Sequence, residues 1–359
     1  MRLLSPILDR MVYPVLGTVG YFHSHGLSAV NVVTYHGVLP IGYKSGDAFL
    51  DNTLVASESF RSQLRLLKKY YNVISPDEFL CWLRQEWDLP EMAILLTCDD
   101  GLLNHHSAML PILQEEKLKC LFFVTGLSVG NTPQMLWYVE LYLLLMQARK
   151  QDEPLSAQGI LIREISADAR HGRLVWLELL KTLSRVDAVA RRSFLDEAAT
   201  KLGLQPTWKA SYLDDPLLRN RFQLLRLPEL KQLADAGMTI GAHTMSHPAL
   251  VEQSADLARS EIADCRTSLE QCLGRPVWAI AYPFGDPSSV GAREYRLAEE
   301  AGYECAFVNM GGVLDPVSAR FALPRIHVTA EMSLSVYEAH VSGVHDALRK
   351  RLKPQPRGR

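Results

Sequence analysis

At 359 residues the chain is long enough for two average domains or for one large α/β barrel carrying an insertion. Hydrophobic residues make up 48% and charged residues 22%, with 22 Gly and 19 Pro spread along the length, which excludes a disordered, collagen-like or small disulfide-stapled protein. Lys and Arg number 38 against 40 Asp and Glu, and a formal net charge of -2 provides no field to steer the molecule onto nucleic acid.

Residues 1–29 are apolar in places, but Asp9, Arg10, His23 and His25 interrupt them. No stretch there reaches the roughly 20 residues that a membrane-spanning helix requires. The pattern of a basic region, an apolar core and a small-residue cleavage site is also missing, which favours a cytoplasmic location. The segment is read as an N-terminal extension that leaves open a surface-lying helix. The basic run of Arg349, Lys350, Arg351, Lys353, Arg357 and Arg359 is read as a solvated tail, with contact to anionic lipid as the other reading.

From residue 30 onward, short β-rich runs alternate with helical stripes. Residues 30–35 predict a strand, and 57–71 a helix whose Phe60, Leu64, Leu67 and Tyr71 share a face. Residues 71–74 predict a second strand. Ser75-Pro76-Asp77-Glu78 is a capping box with proline at the first helical position, opening a helix through Arg84. Residues 92–98 and 119–125 are continuous apolar strands, as expected of parallel strands covered on both faces. The alternation then breaks between about 131 and 225. There Thr132-Pro133 predicts a helix start, and apolar stripes at 136–146, 174–183 and 186–199 predict a helical insertion. Alternation resumes with strands predicted at 238–243, 277–282, 303–309 and 321–328. The expected architecture is α/β: a distorted or incomplete (β/α) barrel of seven to eight mainly parallel strands over 30–130 and 226–330, interrupted by the insertion at 131–225 and followed by a C-terminal helix and basic tail at 331–359.

The six cysteines (Cys81, Cys98, Cys120, Cys265, Cys272, Cys305) form no CxxC pair and lie mostly in apolar runs, so they are read as buried thiols in a reducing compartment.

Four strand ends carry residues suited to chemistry. Thr97-Cys98-Asp99-Asp100-Gly101 places two carboxylates at the mouth of an apolar strand, where they call for a cation or several donors, although such a sequence on its own is usually a turn. His243-Thr244-Met245-Ser246-His247-Pro248 sets two imidazoles on a strand-to-loop bend. Two histidines and a carboxylate make the three-ligand, open-position arrangement of a catalytic divalent ion, most simply zinc. Ala281-Tyr282-Pro283-Phe284-Gly285-Asp286 is a turn whose amides can face a reacting oxygen. Leu323-Pro324-Arg325-Ile326-His327 offers a histidine as general acid. His36 is a candidate lining residue, and His105 and His106 read as the start of a solvent-facing helix.

Taken in order, TCDDG, HTMSHP, YPFG and LPRIH resemble the polysaccharide deacetylase (NodB-homology) family, carbohydrate esterase family 4, over roughly 30–130 and 226–328. The resemblance implies a hydrolase that removes N-acetyl groups from amino sugars of a polysaccharide, its lipid-linked precursor or an oligosaccharide, by metal-activated water. It implies Asp99 as general base, Asp100, His243 and His247 as metal ligands, and the Phe284 N–H as oxyanion donor, with His327 as the candidate acid. Two departures stand out. Where many members carry an arginine two residues before the proline of the third motif, this chain has Ala281, and Arg325 is the candidate replacement. The family's aspartate-tryptophan pair has no counterpart around 309–312. Hydrolysis of another small amide, such as a formyl group or cyclic imide, and non-catalytic carbohydrate binding are the competing readings. The expected partner is an N-acetylated glycan, with peripheral membrane contact left open.

Overall fold

The computed structural model describes residues 7–26, 30–45, 51–151, 156–157, 160–161, 169–311, 314 and 320–352. Its centre is an eight-stranded parallel sheet: β1 (Asn31–Tyr35), β2 (Asn72–Ile74), β3 (Ala93–Cys98), β4 (Leu121–Val124), β5 (Thr239–Ala242), β6 (Ala279–Ala281), β7 (Cys305–Phe307) and β8 (Ile326–His327). The spatial order is β7-β6-β5-β4-β3-β1-β8, with β2 also paired to β3. The segment around β8 reaches both edges. Leu323 exchanges backbone hydrogen bonds with Ala306 and Val308 beside β7, and three residues later Ile326 pairs with Val33 of β1. The sheet thereby curls into the distorted barrel expected from the alternation.

Side-chain period two explains what faces each way. In β1, Val33 and Tyr35 pack outward against the covering helix Ser57–Tyr70 through Phe60, Leu64 and Leu67, whereas Val32 joins an inner cluster with Leu95, Phe123, Ala279, Ala281 and Phe307. The same alternation carried past the strand ends puts His36, Asp99, Asn309, Arg325 and His327 around the barrel mouth.

The capping box at Ser75 forms as expected, with Glu78 N–H bonded to the Ser75 hydroxyl at 3.2 Å and the Ser75 N–H bonded to the Glu78 carboxylate at 2.7 Å. The helix expected from Thr132-Pro133 does not start there but at Trp137. The carbonyls of Gly130 and Gln134 are occupied by N–H groups of Leu227 and Leu224, where the chain returns from the insertion, so residues 130–134 stay non-helical. The insertion's helices, Trp137–Gln151, Ala169–Arg185 and Ala188–Lys201, gather a core of their own around Leu141, Leu144, Trp176, Phe194 and Phe222. The run 141–146 is thus packed core. Beyond residue 331 there are two helices, Leu334–Val341 and Val344–Leu352, instead of the single expected one, and the tail past 352 lies outside the described residues. All six cysteines are free, four of them buried.

Candidate metal centre and catalytic pocket

At the carboxyl ends of β3 and β5, Asp100, His243 and His247 converge with one donor atom each, all within 4.8 Å of one another. The Asp100 Oδ1 lies 3.4 Å from His243 Nε2 and 3.3 Å from His247 Nε2. All three side chains are buried. Their backbones are unusual: Asp100 (φ +82°), Thr244 (+62°) and His247 (+61°) occupy the left-handed region that non-glycine residues avoid. Phe284 (+62°) does so as well, at the third turn. Such conformations cost on the order of 1–3 kcal/mol each and persist only where tertiary contacts hold them.

The donor set fits a divalent cation. His243 Nδ1 is 2.7 Å from the Ala281 carbonyl, which can only accept, so Nδ1 carries a proton and Nε2 is the atom turned toward the Asp100 carboxylate; burial lowers this imidazole, but the contact with Asp100 and the charges of Asp99 and Asp100 raise it above the ordinary value. Two acceptors facing each other in a buried site need a proton or a cation between them. Burial would raise the Asp100 carboxyl, but its contacts with the two imidazoles hold it well below the usual range, ready as an anionic ligand.

Asp99 points into the barrel and meets Arg325. The guanidinium donates from Nη1 to Oδ1 at 2.7 Å and from Nη2 to Oδ2 at 2.6 Å, a bidentate pair with both residues almost fully buried. Arg325 is itself fixed by Thr34 Oγ1 (3.1 Å) and the Val308 carbonyl (3.3 Å), and lies over the rings of Phe123 and Phe307. Burial pushes the Asp99 carboxyl up, and the Arg325 guanidinium beside it, together with the His243 and His36 imidazoles, more than offsets that, leaving it below the ordinary value.

His327 and His36 line the same pocket edge to face, with ring centroids 4.7 Å apart. Burial, then the neighbouring His36, holds the His327 imidazole down at about 3, so it is neutral at neutral pH. Its Nε2 and the His36 Nδ1 have no hydrogen-bond partner among the described residues. Phe284 stands with its ring edge-on to His247 at 5.1 Å. Gly285, at φ +67°, lets this turn pass close against the backbone of Asn309, whose N–H bonds the Gly285 carbonyl at 2.9 Å.

Together these groups line a cavity of about 370 Å³. Part of its wall comes from the insertion, through Tyr138, Tyr142, Trp176 and Leu180. Three side chains tie the insertion to the ligand loops. Tyr138 donates its hydroxyl to Asp100 Oδ2 at 2.8 Å, Trp137 donates its indole N–H to the His247 carbonyl at 2.9 Å, and Arg191 donates to the Ser246 hydroxyl at 3.0 Å. None of these was legible in the sequence, since an aromatic pair opening an apolar helix reads as core. The expectation for His105 is corrected: it is fully buried beneath the site, 3.2 Å from both Cys98 Sγ and the His36 carbonyl, and burial lowers its imidazole to about 4. The turn from Gly101 folds the chain back under the barrel mouth, so the helical segment His105–Met109 begins inside.

A parallel (β/α) barrel with a buried carboxylate and two imidazoles at the carboxyl ends of its strands, beside a cation-paired aspartate, defines the class of this protein. Residues 87–140 and 210–306 match the polysaccharide deacetylase family model. The two matched segments flank most of the insertion. The deacetylase-like protein YxkH of Bacillus subtilis (strain 168) is 25% identical over 116 residues, 32% of this chain and 40% of YxkH, so the alignment spans less than half of that relative. Among solved structures, the deacetylase PplD of Streptococcus pyogenes superposes with a TM-score of 0.55 at 18% identity, covering 88% of this chain and 99% of PplD. IcaB from Ammonifex degensii gives 0.55 at 17% identity, covering 88% and 98%. At these identities the superpositions show a shared fold.

Proposed function

We propose that the protein is a metal-dependent amidohydrolase that removes N-acetyl groups from amino sugars of a glycan. The observation that carries this reading is the joint placement, in one pocket, of a buried Asp100-His243-His247 donor set and an aspartate, Asp99, that does not belong to it. A pure binder has no use for a separate buried base held ionised by an arginine. Names and family point the same way: the matching family, PplD and YxkH are all described as deacetylases.

A divalent cation such as zinc held by Asp100, His243 and His247 would polarise the acyl oxygen and acidify a water, to a pKa of about 7 in favourable zinc sites. Asp99 then receives the proton as the water oxygen bonds to the acetyl carbon. Its two oxygens are aimed by the bidentate contact with Arg325, so this chain meets, from the residue just before β8, the requirement that Ala281 leaves open. The Phe284 N–H, set by the left-handed turn Phe284-Gly285, stabilises the acyl oxygen as it gains charge. The C–N bond breaks as the sugar nitrogen takes a proton, giving acetate and a free amino sugar. His327 is the donor we assign: neutral in the free enzyme, its imidazole takes up the proton that Asp99 received from the water and hands it to the sugar nitrogen, ending neutral again.

The direct test is acetate release from a panel of N-acetylated oligosaccharides by purified protein, before and after chelation and with zinc restored. Chelation should abolish release and zinc recover it. Release of formate or ring-opening of cyclic imides without acetate would move the activity to another amide, and tight glycan binding with no turnover would make the protein a binder.

A further inference from the structure

Ten large apolar side chains stand exposed among the described residues, and half of them lie together. Ile7, Met11, Val15 and Val19, spaced four apart along the helical segment Leu8–Thr18 and its flanks, are 50%, 68%, 61% and 71% exposed. Gly17 leaves room for the Ser335 side chain, which brings Leu334, 43% exposed, to the same surface. The other five are scattered over the molecule. The opposite side of the segment is anchored: Tyr13 and Phe22 are fully buried against helices Leu334–Val341 and Val344–Leu352, and the Tyr13 hydroxyl meets His345 Nδ1 at 3.0 Å. This is a fixed helix with an apolar stripe turned to the outside, a different condition from a frayed terminus.

Charge selects the occupant. Arg10 on the segment itself and Arg349 and Arg351 on the abutting helix are exposed. From residue 344 to the last residue the sequence carries six cations, Arg349, Lys350, Arg351, Lys353, Arg357 and Arg359, against the single acid Asp346. A second copy docking through the same face would set these cations against one another. We propose that this face is a membrane-docking surface, in which the stripe Ile7-Met11-Val15-Val19 enters the headgroup boundary of a lipid leaflet and the exposed Arg10, Arg349 and Arg351 pair with anionic headgroups. An apolar helix face and a basic patch are the two signals that stable peripheral attachment requires. The proposal stands apart from the catalytic reading, since none of these residues lines the pocket.

The test is flotation of the full chain with neutral phosphatidylcholine vesicles and with vesicles containing phosphatidylglycerol, alongside sedimentation of the free protein. Binding to the anionic vesicles should exceed binding to the neutral ones and weaken as salt rises. The double substitution Met11→Ser with Val15→Ser, and separately Arg349→Glu with Arg351→Glu, should each lower partitioning by about tenfold or more. Hydrolysis of a soluble acetylated oligosaccharide and the melting temperature should stay unchanged. Absence of partitioning by the unaltered chain, or partitioning unaffected by both double substitutions, would overturn the proposal. So would a dimer in solution that becomes monomeric on Met11→Ser with Val15→Ser while vesicles are ignored.

Discussion

Arg325, just ahead of the strand β8 on the far side of β1, grips both oxygens of Asp99, at 2.7 and 2.6 Å. Removing one partner of a buried, hydrogen-bonded ion pair strands the other, at a cost of about 3–5 kcal/mol. Arg325→Met should therefore lower the melting temperature as well as the rate. Arg325→Lys should keep more of the stability yet lose the bidentate aim, so its deficit should appear mainly in kcat.

The same pair sets a pH dependence. The folded-state carboxyl of Asp99 lies below its ordinary value, so its contribution to stability is present above the unfolded pKa and fades as pH falls through the folded one. As the proposed base it must also be ionised, so the acid limb of kcat/KM should lie on the low side for a carboxylate. In Arg325→Met that limb should move to higher pH. An acid limb that stays in place would remove Asp99 from the role of base.

Division of labour between the two neighbouring aspartates can be read from metal content. Asp99→Asn should retain the metal and lose turnover, whereas His243→Ala and His247→Ala should lose both. Metal analysis of the purified variants checks this, and loss of metal from Asp99→Asn would show that the roles are misassigned.

Tyr138 reaches Asp100 Oδ2 from the insertion at 2.8 Å. Groups that orient a ligand in this manner are commonly worth about 10–100-fold in metal affinity. Tyr138→Phe keeps the ring in place, so a chelator competition should show weakened affinity without a matching loss of stability. Unchanged affinity would reduce the insertion to a wall.

His327 carries the assignment with most at stake for the proton inventory. His327→Ala should lower kcat by about 10²–10⁴-fold if the imidazole delivers the proton. A loss of only a few-fold would mean that Asp99 returns to the leaving nitrogen the proton it has taken from water.

Local chemistry determined a good deal from the sequence alone. Continuous apolar runs ending in Asp99-Asp100, His243 and Tyr282 marked parallel strands with polar tips, and a strand's period of two places those tips at one end of a barrel whatever the loops do. Arg325 as the partner of Asp99 was also within reach, because the third strand-end motif lacked a cation and the fourth had one. What the sequence did not hold were relations between segments that carry no pattern of their own. Tyr138 and Trp137 look like the start of any apolar helix until the returning chain at Leu224 and Leu227 bonds residues 130–134 and directs that helix over the metal loop. His105 looks like a surface residue until the left-handed Asp100-Gly101 turn folds it beneath His36. Periodicity reports which face of an element is apolar, since every turn repeats that information. Which element covers which is decided once, by packing and by the satisfaction of buried backbone groups across long separations, and only the tertiary structure records it.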